Sequence, residues 1–222
     1  INALNAATFA LQAIHANRES HRTEDTVRVH GIMTKGGEAV SAVPSDVRLE
    51  WRVRSGTPQA VARNGAVVDR CFKSGALAVG ASVEITNIPG YLPMRHDSRL
   101  QELFRRNSAD FLGESSFLVI PAMRNRGGST DMGDLSHLIP ACHPYTGGAV
   151  GPGHSKEYLI DDYDTAVVNP AKIMAMVVID LLAEDGAKGK EIIQAHRPAL
   201  SKQAYLKGQR DQAQVIQYGG ES

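Results

Sequence analysis

Asp25–Thr34 reads DTVRVHGIMT and sets Val27, Val29, Gly31 and Met33 alternately against Arg28, His30 and Ile32. Alternation of this kind is the pattern of a strand that buries one face. Lys35-Gly36-Gly37-Glu38 supplies a turn, and Val47–Val53, VRLEWRV, alternates again, so the two segments predict an antiparallel pair. Pro44 between them marks an edge, a bulge or the entry to the second strand.

Upstream, Leu4, Ala7, Leu11 and Ile14 recur at helical spacing from Asn2 to about Asn17, with Asn2 available as the cap and His15 near the dipole's negative end. Downstream, Thr57-Pro58 opens a second helix whose buried face is Val61, Val68, Cys71, Phe72 and Leu77, ending between Gly75 and Gly80. Ala81–Ile88 alternates as a third strand. Residues 1 to about 90 therefore read helix, strand, strand, helix, strand, a split βαβ sandwich lacking its opening strand.

A boundary falls near Leu92–His96. The spacing then predicts a helix over 98–112 with Leu100, Leu103, Phe104 and Phe111 inward and Arg105-Arg106 on a solvated face. The apolar runs Phe117–Pro121 and Leu138–Cys142 suit short buried strands. A helix from Asp164 or Thr165 through Ala183 is apolar on nearly every side, which predicts that most of its circumference is buried, and Asn169-Pro170 kinks or restarts it. Ala187–Leu206 predicts one last helix, and Val215-Ile216 an edge strand within a Gln-rich end that otherwise frays.

The composition is ordinary for a globular protein: 222 residues, 42% hydrophobic, 22% charged, with 24 basic and 24 acidic residues. A balanced charge provides no global field for nucleic acid or an anionic membrane, so the expected partner is a small molecule or another protein. Cys71 and Cys142 lie in dissimilar contexts and read as core hydrophobes of a reducing compartment. No secretory leader and no apolar run near the roughly 20 residues of a membrane span are evident, which predicts a cytoplasmic protein. The chain opens directly into a helical pattern without an initiator Met, so the expectation is a fragment, a processed product or a sequence given without its upstream part.

Chemistry concentrates in Gly127–Tyr158, GGSTDMGDLSHLIPACHPYTGGAVGPGHSKEY, where His137, His143 and His154 sit among glycines and prolines. The stretch contains no HExxH, nucleophile elbow or phosphate loop. Imidazole is the commonest metal ligand, and His154 stands on a glycine-flanked loop with Glu157 three residues on. A zinc site needs three or more protein ligands, so partners must come from elsewhere.

Gly128-Ser129-Thr130-Asp131-Met132-Gly133-Asp134-Leu135-Ser136, then Ile139-Pro140, His143-Pro144 and Gly153-His154-Ser155-Lys156-Glu157, resemble the C-terminal part of the zinc aminoacylase and carboxypeptidase G family of metallopeptidases. The nearest branch includes p-aminobenzoyl-glutamate hydrolase and β-alanyl dipeptidase-like proteins. Asn2-Ala3-Leu4, His30-Gly31-Ile32, Gly36-Gly37, Val43-Pro44 and Val53-Arg54 resemble the family's lid in order and spacing. The resemblance implies a ferredoxin-like βαββαβ lid and dimerisation domain over residues 1–94, its first strand missing, and the C-terminal portion of an α/β catalytic domain over 95–222. It further implies a homodimer through the lid and two zinc ions, with manganese or cobalt as alternatives. The other metal ligands and the general base would lie upstream, in a missing N-terminal part of the same protein.

Carried over by residue, His154 matches the family's final zinc ligand, and Arg54 matches the lid arginine that grips the substrate carboxylate, a task suited to a planar, permanently charged fork. Ser41 stands where many members have asparagine. Gly128, Thr130 and Asp131 match the pocket-lining loop, and His30 and His143 fit the motif without an assigned role. The implied reaction is metal-assisted hydrolysis of an amide in an N-acyl amino acid, an aminobenzoyl-glutamate-like compound or a dipeptide, water being activated by zinc and a carboxylate. The alternative is a non-catalytic dimerisation or ligand-binding module derived from such an enzyme.

Overall fold

A computed structural model describes residues 1–119 and 130–219. The chain mixes helices and strands and divides into two compact units, one of residues 1–93, 130 and 202–219, the other of 94–119 and 131–201.

In the first unit, helix α1 (Ala3–Ala16) starts where Asn2 Oδ1 accepts the Leu4 N–H at 2.9 Å. Helix α2 (Pro58–Val79) starts where Thr57 Oγ1 accepts the Ala60 N–H at 3.2 Å, with proline at its first turn, and ends on Gly80. The two helices pack closely, and Gly75 explains how: a Cβ there would come within 2.3 Å of Ala6 O and 2.7 Å of Ala10 N. Gly75 is thus a contact point inside α2 rather than its end.

Strands β1 (Arg28–Lys35) and β2 (Arg48–Arg54) pair antiparallel, Val29 opposite Val53 and Gly31 opposite Trp51, with an irregularity between Met33 and Lys35. Gly31 leaves room for the indole, since a Cβ there would lie 2.6 Å from the Trp51 ring. Ile14, Val29, Val68 and Cys71 form the buried cluster, flanked by Trp51, Val53 and Phe72, and Trp51 meets Phe72 edge-on at 6.2 Å. Leu77, expected inward, is 67% exposed, because the close α1 contact runs through the smaller Gly75 and Ala76 instead. Strand β3 (Val83–Asn87) pairs antiparallel with the edge strand β6 (Gln214–Tyr218), which follows helix α6 (Lys202–Gln212).

In the second unit, helix α3 (Ser98–Leu112) is capped by Asp97 and packs Leu103 against Val177 and Ile192 of helix α5 (Asn169–Ala195). A π-helical turn, Asp164–Val168, precedes α5, and Asp162 Oδ1 accepts the Thr165 N–H at 3.0 Å there. Helix α4 (Asp131–Ser136) and the short antiparallel pair β4 (Ala149–Val150) and β5 (Leu159–Ile160) complete the unit.

Several expectations need correction. Phe117–Val119 forms no strand, and Leu118 is 82% exposed; Ile120 and Pro121 lie outside the described residues. Leu138–Cys142 is a turn and loop interrupted at Pro140, with Ile139 exposed. Phe111, expected inward, is exposed and lies beneath the Lys172 ammonium. Ala187–Leu206 is two helical segments, because the chain leaves the helix at His196, two residues before Pro198, which has no N–H to continue it.

The apolar helix is the largest difference. Only Ile173, Val177 and Ile192 of α5 are buried, while Met174, Val178, Ile179 and Leu182 remain exposed, since α3 covers just one side. By length and composition Asp164–Ala195 is also apolar enough to cross a membrane, contrary to the sequence reading, although Ala183–Gly186 leave helical geometry and divide it.

Candidate functional site

His154 sits in the turn joining β4 to β5, exposed, with its backbone in the left-handed region at φ 64°. Positive φ is uncommon for a side-chain-bearing residue, though histidine tolerates it better than most. The turn is held locally: Ser155 Oγ donates to Pro152 O at 2.8 Å and accepts the Glu157 N–H at 3.2 Å, and Tyr158 N–H reaches Ser155 O at 3.2 Å. The imidazole is therefore presented outward on a fixed turn. Glu157 is exposed on the same turn.

Asp131 opens α4 and accepts the Met132 N–H through Oδ1 at 2.9 Å. Thr130 precedes it, its hydroxyl buried without a hydrogen bond among the described residues. Gly128 lies outside the described residues.

Arg54 ends β2, half-buried and directly opposite Arg28. Ser41 is exposed in the connection between β1 and β2. The ladder runs from the Arg28–Arg54 pair at one end to the Lys35–Arg48 pair, where that connection begins. At roughly 3.3 Å per residue, the ribbon spans about 20 Å, so Ser41 and Arg54 belong to its opposite ends. His154 and Asp131 belong to the second unit, Arg54, Ser41 and Thr130 to the first.

Among the described residues no group of three or more His, Cys, Asp or Glu side chains could hold a metal ion. His154 is thus a single displayed donor, and the residues described here do not by themselves fit a zinc centre.

The second unit does assemble a polar pocket that the sequence reading passed over. A cavity of about 270 Å³ at the start of α3 is lined by Arg95, His96, Asp97, Arg99, His196 and Arg197, among others. Asp97 Oδ1 accepts the N–H groups of Arg99 and Leu100 at 3.0 and 3.3 Å, and the Arg99 guanidinium donates to both carboxylate oxygens at 3.1 and 2.5 Å. The Arg99 hydrogen bonds hold the Asp97 carboxyl below its usual range against the opposing effect of burial. Arg95 N–H donates to Ser136 Oγ at 2.9 Å, and Arg95 Nη1 donates to Arg197 O at 3.1 Å. Burial, aided by the Asp97 charge, pushes the neighbouring Cys142 thiol up to about 11. An Asp before a helical pattern is a capping signal, so Asp97 was findable in the sequence; His196 was not, because nothing local pairs it with a residue so far away.

No protein-family model matches the chain. The chain is 28% identical over 192 residues to the human protein named Xaa-Arg dipeptidase, a match that covers 82% of this chain and 42% of that protein. The mouse protein of the same name is likewise 28% identical over 192 residues, covering 82% of this chain and 43% of its own length. The chain thus spans less than half the length of the curated relatives it matches.

Proposed function

We propose that this chain is part of a metal-dependent hydrolase that cleaves the amide bond of a dipeptide or N-acyl amino acid, and that it belongs with the zinc aminoacylase and carboxypeptidase G-type metallopeptidases. The observation that carries this reading is the similarity to two dipeptidases along most of the chain. It is supported by the motifs around Gly153-His154 and Val53-Arg54.

Residues 1–94 act in this reading as a ferredoxin-like lid through which the protein forms a homodimer. The element order helix, strand, strand, helix, strand supports it. So does the pairing, β1 with β2 and β3 with neither: in a ferredoxin-like sheet the first strand lies between the third and the fourth. Residues 95–222 act as the closing part of a catalytic domain, with β6 returning to pair with β3 of the first unit. The uncovered apolar faces of α5 and of Phe117–Val119 support that role, since so much exposed apolar surface marks a surface made to be covered.

In this proposal Arg54 binds the substrate carboxylate with its fork of N–H donors, and His154 contributes one donor to the metal. The remaining metal ligands and the general base come from residues other than those described. Zinc, or manganese or cobalt in its place, would supply Lewis acidity when bound.

The test is hydrolysis of dipeptides with C-terminal arginine, and of N-acyl amino acids, by the polypeptide that carries this sequence. Activity removed by a chelator and restored by zinc is expected, with Arg54→Lys raising KM about ten-fold while kcat changes little, as loss of a bidentate contact predicts. Absence of hydrolysis in a folded, metal-loaded and dimeric polypeptide would favour the non-catalytic dimerisation module instead.

A further inference from the structure

The first unit holds a second polar feature that owes nothing to the hydrolase reading. After α1 the chain turns through 3₁₀ segments at Asn17–Ser20 and Thr23–Asp25, and Thr26, at φ 46°, redirects it into β1. This path folds Arg18 back on the strand, where its guanidinium donates to Val29 O at 2.8 Å. It borders an open cleft of about 490 Å³, lined by Arg18, His21, Arg22, Thr23, Thr26, Val27 and Arg28, with no acidic side chain in the lining. Ligand pockets fall in the range of about 300–1,000 Å³.

The nearby carboxylates do not neutralise these groups. Asp25 is committed to Arg63, and Glu19 and Glu24, both exposed, are not among the lining residues and form no ion pair among the described residues. Among the described residues, the Arg22 and Arg28 side chains form no ion pair and no hydrogen bond. The adjoining ladder adds to the imbalance, because Arg28 stands opposite Arg54 and His30 opposite Arg52. Like charges placed directly opposite on a sheet destabilise it.

Arg18, Arg22 and Arg28 line one opening together with Thr23 and Thr26, a set of residue types that matches a small tetrahedral oxyanion, since planar N–H forks bind phosphate oxygens in pairs. The depression leaves ample room for a phosphate group or a small phosphate monoester, and the chain's equal numbers of acidic and basic residues provide no extended field for a polyanion. We propose that this cleft binds a phosphate group, either the free ion or a small phosphate monoester.

Calorimetric titration of the folded chain with inorganic phosphate and with glycerol phosphate, against chloride at matched ionic strength, tests this. The expected result is saturable one-site binding, weakened about ten-fold or more in Arg22→Gln/Arg28→Gln, as loss of charge-assisted hydrogen bonds predicts. Partial recovery is expected in Arg22→Lys/Arg28→Lys, with unchanged circular dichroism in both variants. The tighter of the two ligands identifies the source of the phosphate. Binding no stronger than chloride's, or binding that survives in the glutamine variant, would overturn the proposal.

Discussion

His196 Nδ1 lies 3.8 Å from Asp97 Oδ2, with side chains only 10% and 7% exposed, so the end of α5 is set against the cap of α3. Asp97 therefore serves four groups at once: two backbone N–H groups, the Arg99 guanidinium and this imidazole. Asp97→Ala is expected to cost about 2 to 3 kcal/mol, from a lost cap and a lost charged hydrogen bond. Asp97→Asn keeps a cap acceptor and should cost less. The folded carboxyl is held below its usual range, so its contribution is complete above the unfolded value of about 3.9 and is lost as pH falls through the lower folded value. Urea unfolding at pH 7 and pH 3 checks this: the gap between wild type and Asp97→Asn should narrow in acid.

Gly75→Ala offers a helix-propensity gain of about 1 kcal/mol. The new Cβ, however, meets the α1 backbone at Ala6 O and Ala10 N. Overpacking against backbone should win, for a net loss of about 1 to 3 kcal/mol. A rise in Tm for this variant would contradict the α1–α2 packing described here.

Within α5 the two faces should respond differently. Ile192 is 2% exposed against Leu103, and Ile192→Ala is expected to cost about 2 to 5 kcal/mol. Ile179 is 66% exposed, and Ile179→Ala should change the stability of this chain by no more than about 0.5 kcal/mol. Denaturant melts of the two variants measure both.

Cys142, its thiol pushed up to about 11, should alkylate at pH 8 about a hundred-fold more slowly than an ordinary thiol. Burial also raises the Cys71 thiol. Both should become reactive in urea, which a mass-resolved iodoacetamide time course would show.

Local signals were the ones the sequence expressed clearly. Asn2 and Thr57-Pro58 each mark a helix start through chemistry contained within a few residues, and the alternation in DTVRVHGIMT and VRLEWRV marks the β1–β2 pair for the same reason. What depends on distant partners was not legible. The burial of α5 depends on what covers it, and the apolar density of Ile173–Leu182 cannot say which side that is. Phe117–Val119 has the composition of a buried strand but no paired neighbour among the described residues. The polar pocket likewise escaped notice because Asp97 and His196 meet only in three dimensions. For the candidate site, motifs singled out His154 and Arg54, and local structure explains their presentation, on a fixed turn and at a strand end, without supplying a complete set of reacting groups.

The central claim is that His154 belongs to the active site of an amide hydrolase. The most direct test compares wild type and His154→Ala in hydrolysis of a dipeptide by the polypeptide carrying this sequence, with circular dichroism confirming an unchanged fold. Loss of a metal ligand predicts turnover reduced by about a hundred-fold or more. Undiminished turnover in His154→Ala would contradict the assignment.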